Sequence, residues 1–146
     1  MAQLAAAEQM GYFPTPPHTL RLILPYLTAQ AGTAVRLLDP CAGKGEALAA
    51  LKQALERAGV TVYAHAVEVA GGRAIDAARL LGQDNVLCSP WEGTATSNHA
   101  ISGLWLNPPY DHETIEDAES HKHERQEFTF LDRSDGKLQV GGVLIN

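Results

Sequence analysis

The chain has 146 residues, 45% of them hydrophobic, which suits one soluble domain with its own core. No apolar run is long enough to span a bilayer, and the neutral, Ala-rich start lacks the pattern of a signal peptide. A net charge of −6 with scattered Lys and Arg draws in no polyanion, so nucleic-acid contacts would need a local basic patch or a further module.

From the N-terminus, Met1 to Ala7 reads as a helix start or a lead-in without structure. Thr15 is placed to cap a helix, with Pro16 and Pro17 in its first turn. Leu20, Ile23, Leu24 and Leu27 give that helix one apolar face, and Pro25 should kink it. Val35 to Leu38 is a short strand ending at Asp39. Glu46 to Ala58 is an amphipathic helix through Leu48, Leu51 and Leu55, closed by Gly59. Thr61 to Val67 is β-rich and ends at Glu68. Arg73 to Leu81 is a helix with Gly82 as its stop signal. Asn85 to Cys88 and Ile101 to Leu106 are two further strands. Residues 111–126 are polar, acidic and His-containing, and read as a long loop or a solvated helix. Phe128 to Leu138 is helical in pattern, disturbed at Asp135-Gly136, and Gly141-Gly142 turns into a last strand, Val143 to Ile145.

Strand–helix alternation predicts right-handed crossovers and an α/β, doubly wound, mainly parallel sheet of about five strands with helices on both faces. The whole chain, 1–146, reads as a single domain. Such sheets bind ligands at the carboxyl ends of their strands. Asp39, Glu68, Ser89 and Asn107 all follow predicted strand ends. Their co-location says more than any one of them does.

Two segments carry chemistry. Asp39-Pro40-Cys41-Ala42-Gly43-Lys44-Gly45 is a strand-to-helix turn whose glycines let the backbone approach a ligand closely. It is neither a dinucleotide G-x-G-x-x-G nor a P-loop. Its leading carboxylate would repel a pyrophosphate and suits a cationic or amino-bearing ligand. Glu68, some twenty residues on, stands where an acidic side chain accepts hydrogen bonds from ribose hydroxyls. The second segment is Asn107-Pro108-Pro109-Tyr110, after the buried strand. Asn107 offers one acceptor and two donors, the prolines stiffen the loop, and Tyr110 supplies a flat face. That device suits an exocyclic amino group presented edge-on, although a plain proline turn has the same residues.

Taken together, Asp39-Pro40-x-x-Gly43-x-Gly45, Glu68 and Asn107-Pro108-Pro109-Tyr110 resemble a class I S-adenosylmethionine-dependent methyltransferase. More narrowly they resemble the amino-methyltransferases, above all the N6-adenine DNA methyltransferases. Tyr12-Phe13-Pro14-Thr15-Pro16 resembles the segment that precedes the glycine loop in adenine methylases with their motifs in this order.

The resemblance implies a set of roles. Gly43 and Gly45 would pass under the methionine part of S-adenosylmethionine, Asp39 would hold its amino end, and Phe13 and Thr15 would close over that end. Glu68 would bind the ribose. Ser89 and Pro90 would lie beside the adenine, with Trp91 as a stacking face, although many members have an Asp at about Ser89. The Asn107 side chain and the Pro108 carbonyl would accept hydrogen bonds from the attacked nitrogen, and Tyr110 would stack on the base, extruded if it comes from duplex DNA. The catalysis implied is by orientation and electrostatics, without a covalent intermediate or a metal. RNA or protein glutamine are alternative acceptors, and a non-catalytic interaction domain is an alternative on the same fold.

Other features are weaker. His112, His121 and His123 beside Glu residues lack a spacing that fixes a metal geometry. Cys41 and Cys88 are far apart, which argues against a disulfide or zinc and for a reducing cytoplasm. Relatives continue past the fifth strand, so the chain is expected to be shortened. Its last strand would then offer an apolar edge for self-association or for a partner chain.

Overall fold

The computed structural model describes residues 12–109 and 126–146. Its five strands are β1 (Ala34–Asp39), β2 (Thr61–Val67), β3 (Val86–Leu87), β4 (Ile101–Trp105) and β5 (Leu138–Ile145). They form one parallel sheet in the order β3-β2-β1-β4-β5. The chain steps outward from β1 through β2 to β3, then returns to the other side of β1 for β4 and β5. The carboxyl ends of β1 and β4 therefore flank the point of reversal, where a doubly wound sheet opens a crevice.

The described helices are α1 (Pro17–Ile23), α2 (Glu46–Arg57), α3 (Gly71–Leu81) and α4 (Gln126–Asp135). Alternation along the strands gives each face its own core. Leu37, Val62, Ala64, Ala66 and Trp105 point to one side and pack with Leu20 of α1, Leu48, Leu51 and Leu55 of α2 and Leu81 of α3. Leu38, Val67 and Leu104 point to the other, with Trp91, Ile101 and Phe130 of α4. Leu48, Leu51 and Leu55 recur at helical spacing, so one stripe of α2 is buried, while Lys52 and Glu56 pair at 2.8 Å on it one turn apart. Gly59, with φ at +82°, ends the segment.

Four local expectations are corrected. Pro16, not Thr15, occupies the N-cap of α1, and no side chain caps that helix. Pro25 does not kink α1: the helix ends at Ile23, and Pro25 sits in a 3-10 turn, Leu24–Tyr26. The last helix runs Gln126–Asp135 rather than from Phe128 to Leu138. Gly141-Gly142 is not a turn. It lies within β5, where the ladder to β4 shifts register between Ile101 and Gly103. The Ala-rich start and residues 111–125 lie outside the described residues.

Candidate functional site

A cavity of about 360 Å³ opens at the carboxyl ends of β1, β2 and β4. Each wall comes from a different part of the chain. Asp39 ends β1, and Cys41 and Ala42 follow it; Glu68, Val69 and Arg73 run from the end of β2 into α3; Ser89, Pro90 and Trp91 follow β3. Asn107 and Pro109 follow β4, residues 12–15 precede α1, and Thr129 and Phe130 come from α4.

Asp39 is 2% exposed, and the Cys41 N–H donates to its Oδ1 at 3.0 Å. Burial pushes its carboxyl up to about 7; the charge of Glu68 adds to the rise, and hydrogen bonds from Cys41 oppose it. Desolvation also raises the Cys41 thiol well above its ordinary value, and the Asp39 charge raises it further, which disfavours the thiolate.

Glu68 is buried too, but its charge is met. Its Oε2 accepts the Gly43 N–H at 2.8 Å. Its Oε1 accepts the Ala70 N–H at 2.8 Å and Arg73 Nε at 3.0 Å, with Arg73 Nη2 at 2.8 Å. Gly43 has φ at +57°, and a β-carbon there would collide with the Tyr12 ring, which covers that glycine. The Arg73 guanidinium lies 5.1 Å from the centre of the same ring.

After β4, Asn107 Nδ2 donates to the Phe13 carbonyl at 3.0 Å and to Thr15 Oγ1 at 3.3 Å. A carbonyl oxygen can only accept, so the Phe13 contact fixes which end of the carboxamide faces residues 12–15. This is what Thr15 does in place of capping α1. Beside it, Trp91 is 2% exposed. Arg133 of α4 lies 5.7 Å from its ring centre and donates to the Trp91 and Thr94 carbonyls at 3.1 and 3.2 Å, clamping the loop after β3. The Ser89 hydroxyl is engaged with the Pro90 carbonyl at 3.1 Å.

The fold thus brings Phe13, Thr15, Asp39, Glu68, Ser89 and Asn107 around one cavity. Gly43, Gly45 and Pro108 are not among its lining residues. Gly45 instead faces α3, where a β-carbon would stand 3.1 Å from the Ala77 Cα. Tyr110 and the three histidines of the acidic segment lie outside the described residues. Among the described residues, no three His, Cys, Asp or Glu side chains could hold a metal, and no helix is long and apolar enough to cross a membrane. Arg73, Trp105, Thr129 and Phe130 are among the lining residues that sequence reading did not single out. Arg73 had a local signal, an arginine five positions after an acidic strand end. Thr129 and Phe130 had none.

The fold recurs in solved structures. A Listeria monocytogenes protein assigned to the class I S-adenosylmethionine-dependent methyltransferases matches with a TM-score of 0.72 at 20% identity, over 93% of this chain and 46% of that one. A type I restriction-modification methyltransferase subunit of Streptococcus thermophilus matches with a TM-score of 0.64 at 19% identity, over 91% and 33%. Geranyl diphosphate C-methyltransferase of Streptomyces coelicolor, in complex with S-adenosyl-L-homocysteine, matches with a TM-score of 0.58 at 18% identity, over 87% and 41%. The chain spans less than half the length of each of these. No curated protein matches it significantly in sequence. One family model, described as an uncharacterised methyltransferase family (DUF6094), matches residues 1–146, and the chain belongs to that family.

Proposed function

We propose that the cavity binds S-adenosylmethionine and that the chain directs its methyl group to an exocyclic amino nitrogen, with N6 of adenine in DNA as the favoured acceptor. One observation carries this reading. The Asn107 carboxamide is held by Phe13 and lines the same cavity as Asp39 and Glu68. The wall fits the cofactor. Two buried carboxylates suit its cationic end and its ribose, while Pro90 and Trp91 give the adenine an apolar face. The restriction-modification subunit among the structural relatives is in keeping with a DNA acceptor.

Bound there, the cofactor would supply an electrophilic methyl on a sulfonium. The chain's own part is orientation. Asn107 Oδ1, on the side of the amide away from the Nδ2 contacts, accepts a hydrogen bond from the acceptor amine and draws its nitrogen toward sp³ character. By the family resemblance the Pro108 carbonyl would accept a hydrogen bond from the amine's second N–H and Tyr110 would stack on the base; the proton displaced as the nitrogen is methylated leaves to solvent. A base in duplex DNA is extruded first.

The test is transfer of labelled methyl to DNA, RNA and protein, by the wild type and by Asn107→Ala. DNA containing adenine is expected to be labelled, and Asn107→Ala to lower the rate about a hundredfold, the scale of losing an oriented polar group at the reacting atom. Labelling of RNA or protein alone moves the acceptor. Undiminished transfer by Asn107→Ala removes this residue from the chemistry.

A further inference from the structure

Glu68 is not equally available at its two oxygens. A carboxylate has about four acceptor positions, two on each oxygen. Oε1 is met by three donors, the Ala70 N–H, Arg73 Nε and Arg73 Nη2. Among the described residues, Oε2 is met by one, the Gly43 N–H. Glu68 is only 5% exposed, so the cavity reaches it through a narrow window. Among the described residues, Arg73 is itself held from two sides. Its side chain is 11% exposed, paired with Glu68 and stacked on the Tyr12 ring, which in turn covers Gly43. An arginine fork anchored this way sets the carboxylate's rotation as well as its charge.

We propose that Arg73 is a positioning residue which commits Oε1 of Glu68 to the protein, so that the carboxylate grips a single ribose hydroxyl of the cofactor through Oε2. The inference rests on the cofactor reading above. It departs from a symmetric grip in which each carboxylate oxygen takes one hydroxyl. It also links the two ends of the site: the guanidinium that orients Glu68 carries the Tyr12 ring over the glycine turn.

The test is calorimetry on the full chain with S-adenosylhomocysteine and its 2′-deoxy and 3′-deoxy analogues. In the wild type, loss of one hydroxyl is expected to weaken binding about tenfold and loss of the other about twofold or less. Arg73→Gln releases Oε1; the two penalties should converge, and affinity for the parent compound should fall about tenfold. Arg73→Lys keeps the charge without the fork and should fall between. Equal penalties in the wild type overturn the single grip. Asymmetry that survives in Arg73→Gln overturns the role of Arg73. If Arg73→Gln does not fold, the wild-type comparison and Arg73→Lys decide the matter, asymmetry unchanged in Arg73→Lys overturning the role. Absence of binding by S-adenosylhomocysteine at millimolar concentration defeats the cofactor reading and this proposal together, an outcome distinct from equal penalties.

Discussion

Asp39 is expected to give the site its pH dependence. Its carboxyl is held at about 7 in the folded protein against 3.8 for a solvated aspartate, chiefly because it is buried. A raised acid binds its proton more tightly in the folded than in the unfolded chain. Its contribution to stability is therefore full below about pH 4 and is lost as pH rises to about 7. At about 1.4 kcal/mol per unit, the ceiling on that loss is about 4 kcal/mol. Asp39→Asn should accordingly stabilise the unliganded protein at pH 8 and change it little at pH 4, read by urea unfolding at both. Binding has the opposite sign. A cationic ligand favours the ionised carboxylate, so cofactor affinity should rise up to about tenfold from pH 6 to pH 8. Near pH 7 and below, protons should be released on binding, seen by calorimetry in buffers of different ionisation enthalpy. An affinity flat across that range would take Asp39 out of contact with the ligand's charge.

The glycines before α2 and at the start of α3 show how elements rather than side chains build the crevice. Gly45 precedes α2 with φ at +78°, and a β-carbon there would press on the Ala77 backbone at 3.1 Å. Backbone cannot yield as a flexible side chain does. Gly45→Ala should cost about 2 kcal/mol in urea unfolding, from left-handed strain and the forced parting of α2 from α3. Gly72, within α3, meets nothing within 4 Å of its β-carbon position and has no positive φ. Gly72→Ala should stabilise by about 0.5 kcal/mol, because it restricts the unfolded chain without a clash. If the two substitutions behave alike, the α2–α3 contact is not what requires Gly45. Legibility from sequence divides along the same line. Alternating strands and helices, the glycine turn and the strand-end carboxylates are local patterns, and they placed β1, α2 and β2 within a residue or so. Gly141-Gly142 read as a turn because an isolated glycine pair usually is one. Its place in β5 depends on the ladder to β4, which sequence does not display. Thr15 read as a helix cap for the same reason: its partner, Asn107, is 92 positions away.

Across the whole molecule, the cavity is a junction of segments that the sequence keeps apart. Residues 12–15, the ends of β1, β2 and β4, the loop after β3 and the first half of α4 all line it. A ligand in it would tie both cores together, since Trp105 belongs to one and Trp91 to the other and both line the cavity. Binding to the folded state alone stabilises by about 2.7 kcal/mol at a hundred times Kd, which for a chain of this size is a rise in Tm of about 5–10 °C. S-adenosylhomocysteine should produce that rise. Asn107→Asp should reduce it, because a carboxylate oxygen would then oppose the Phe13 carbonyl where Nδ2 now donates to it, loosening residues 12–15 from the cavity. The unliganded Tm of Asn107→Asp should shift less than its liganded Tm, since Asn107 is partly exposed and sits outside both cores. Equal shifts would mean that the Asn107 contacts with residues 12–15 serve the fold alone. A wild-type Tm unmoved at millimolar S-adenosylhomocysteine would mean that the cavity takes a different ligand.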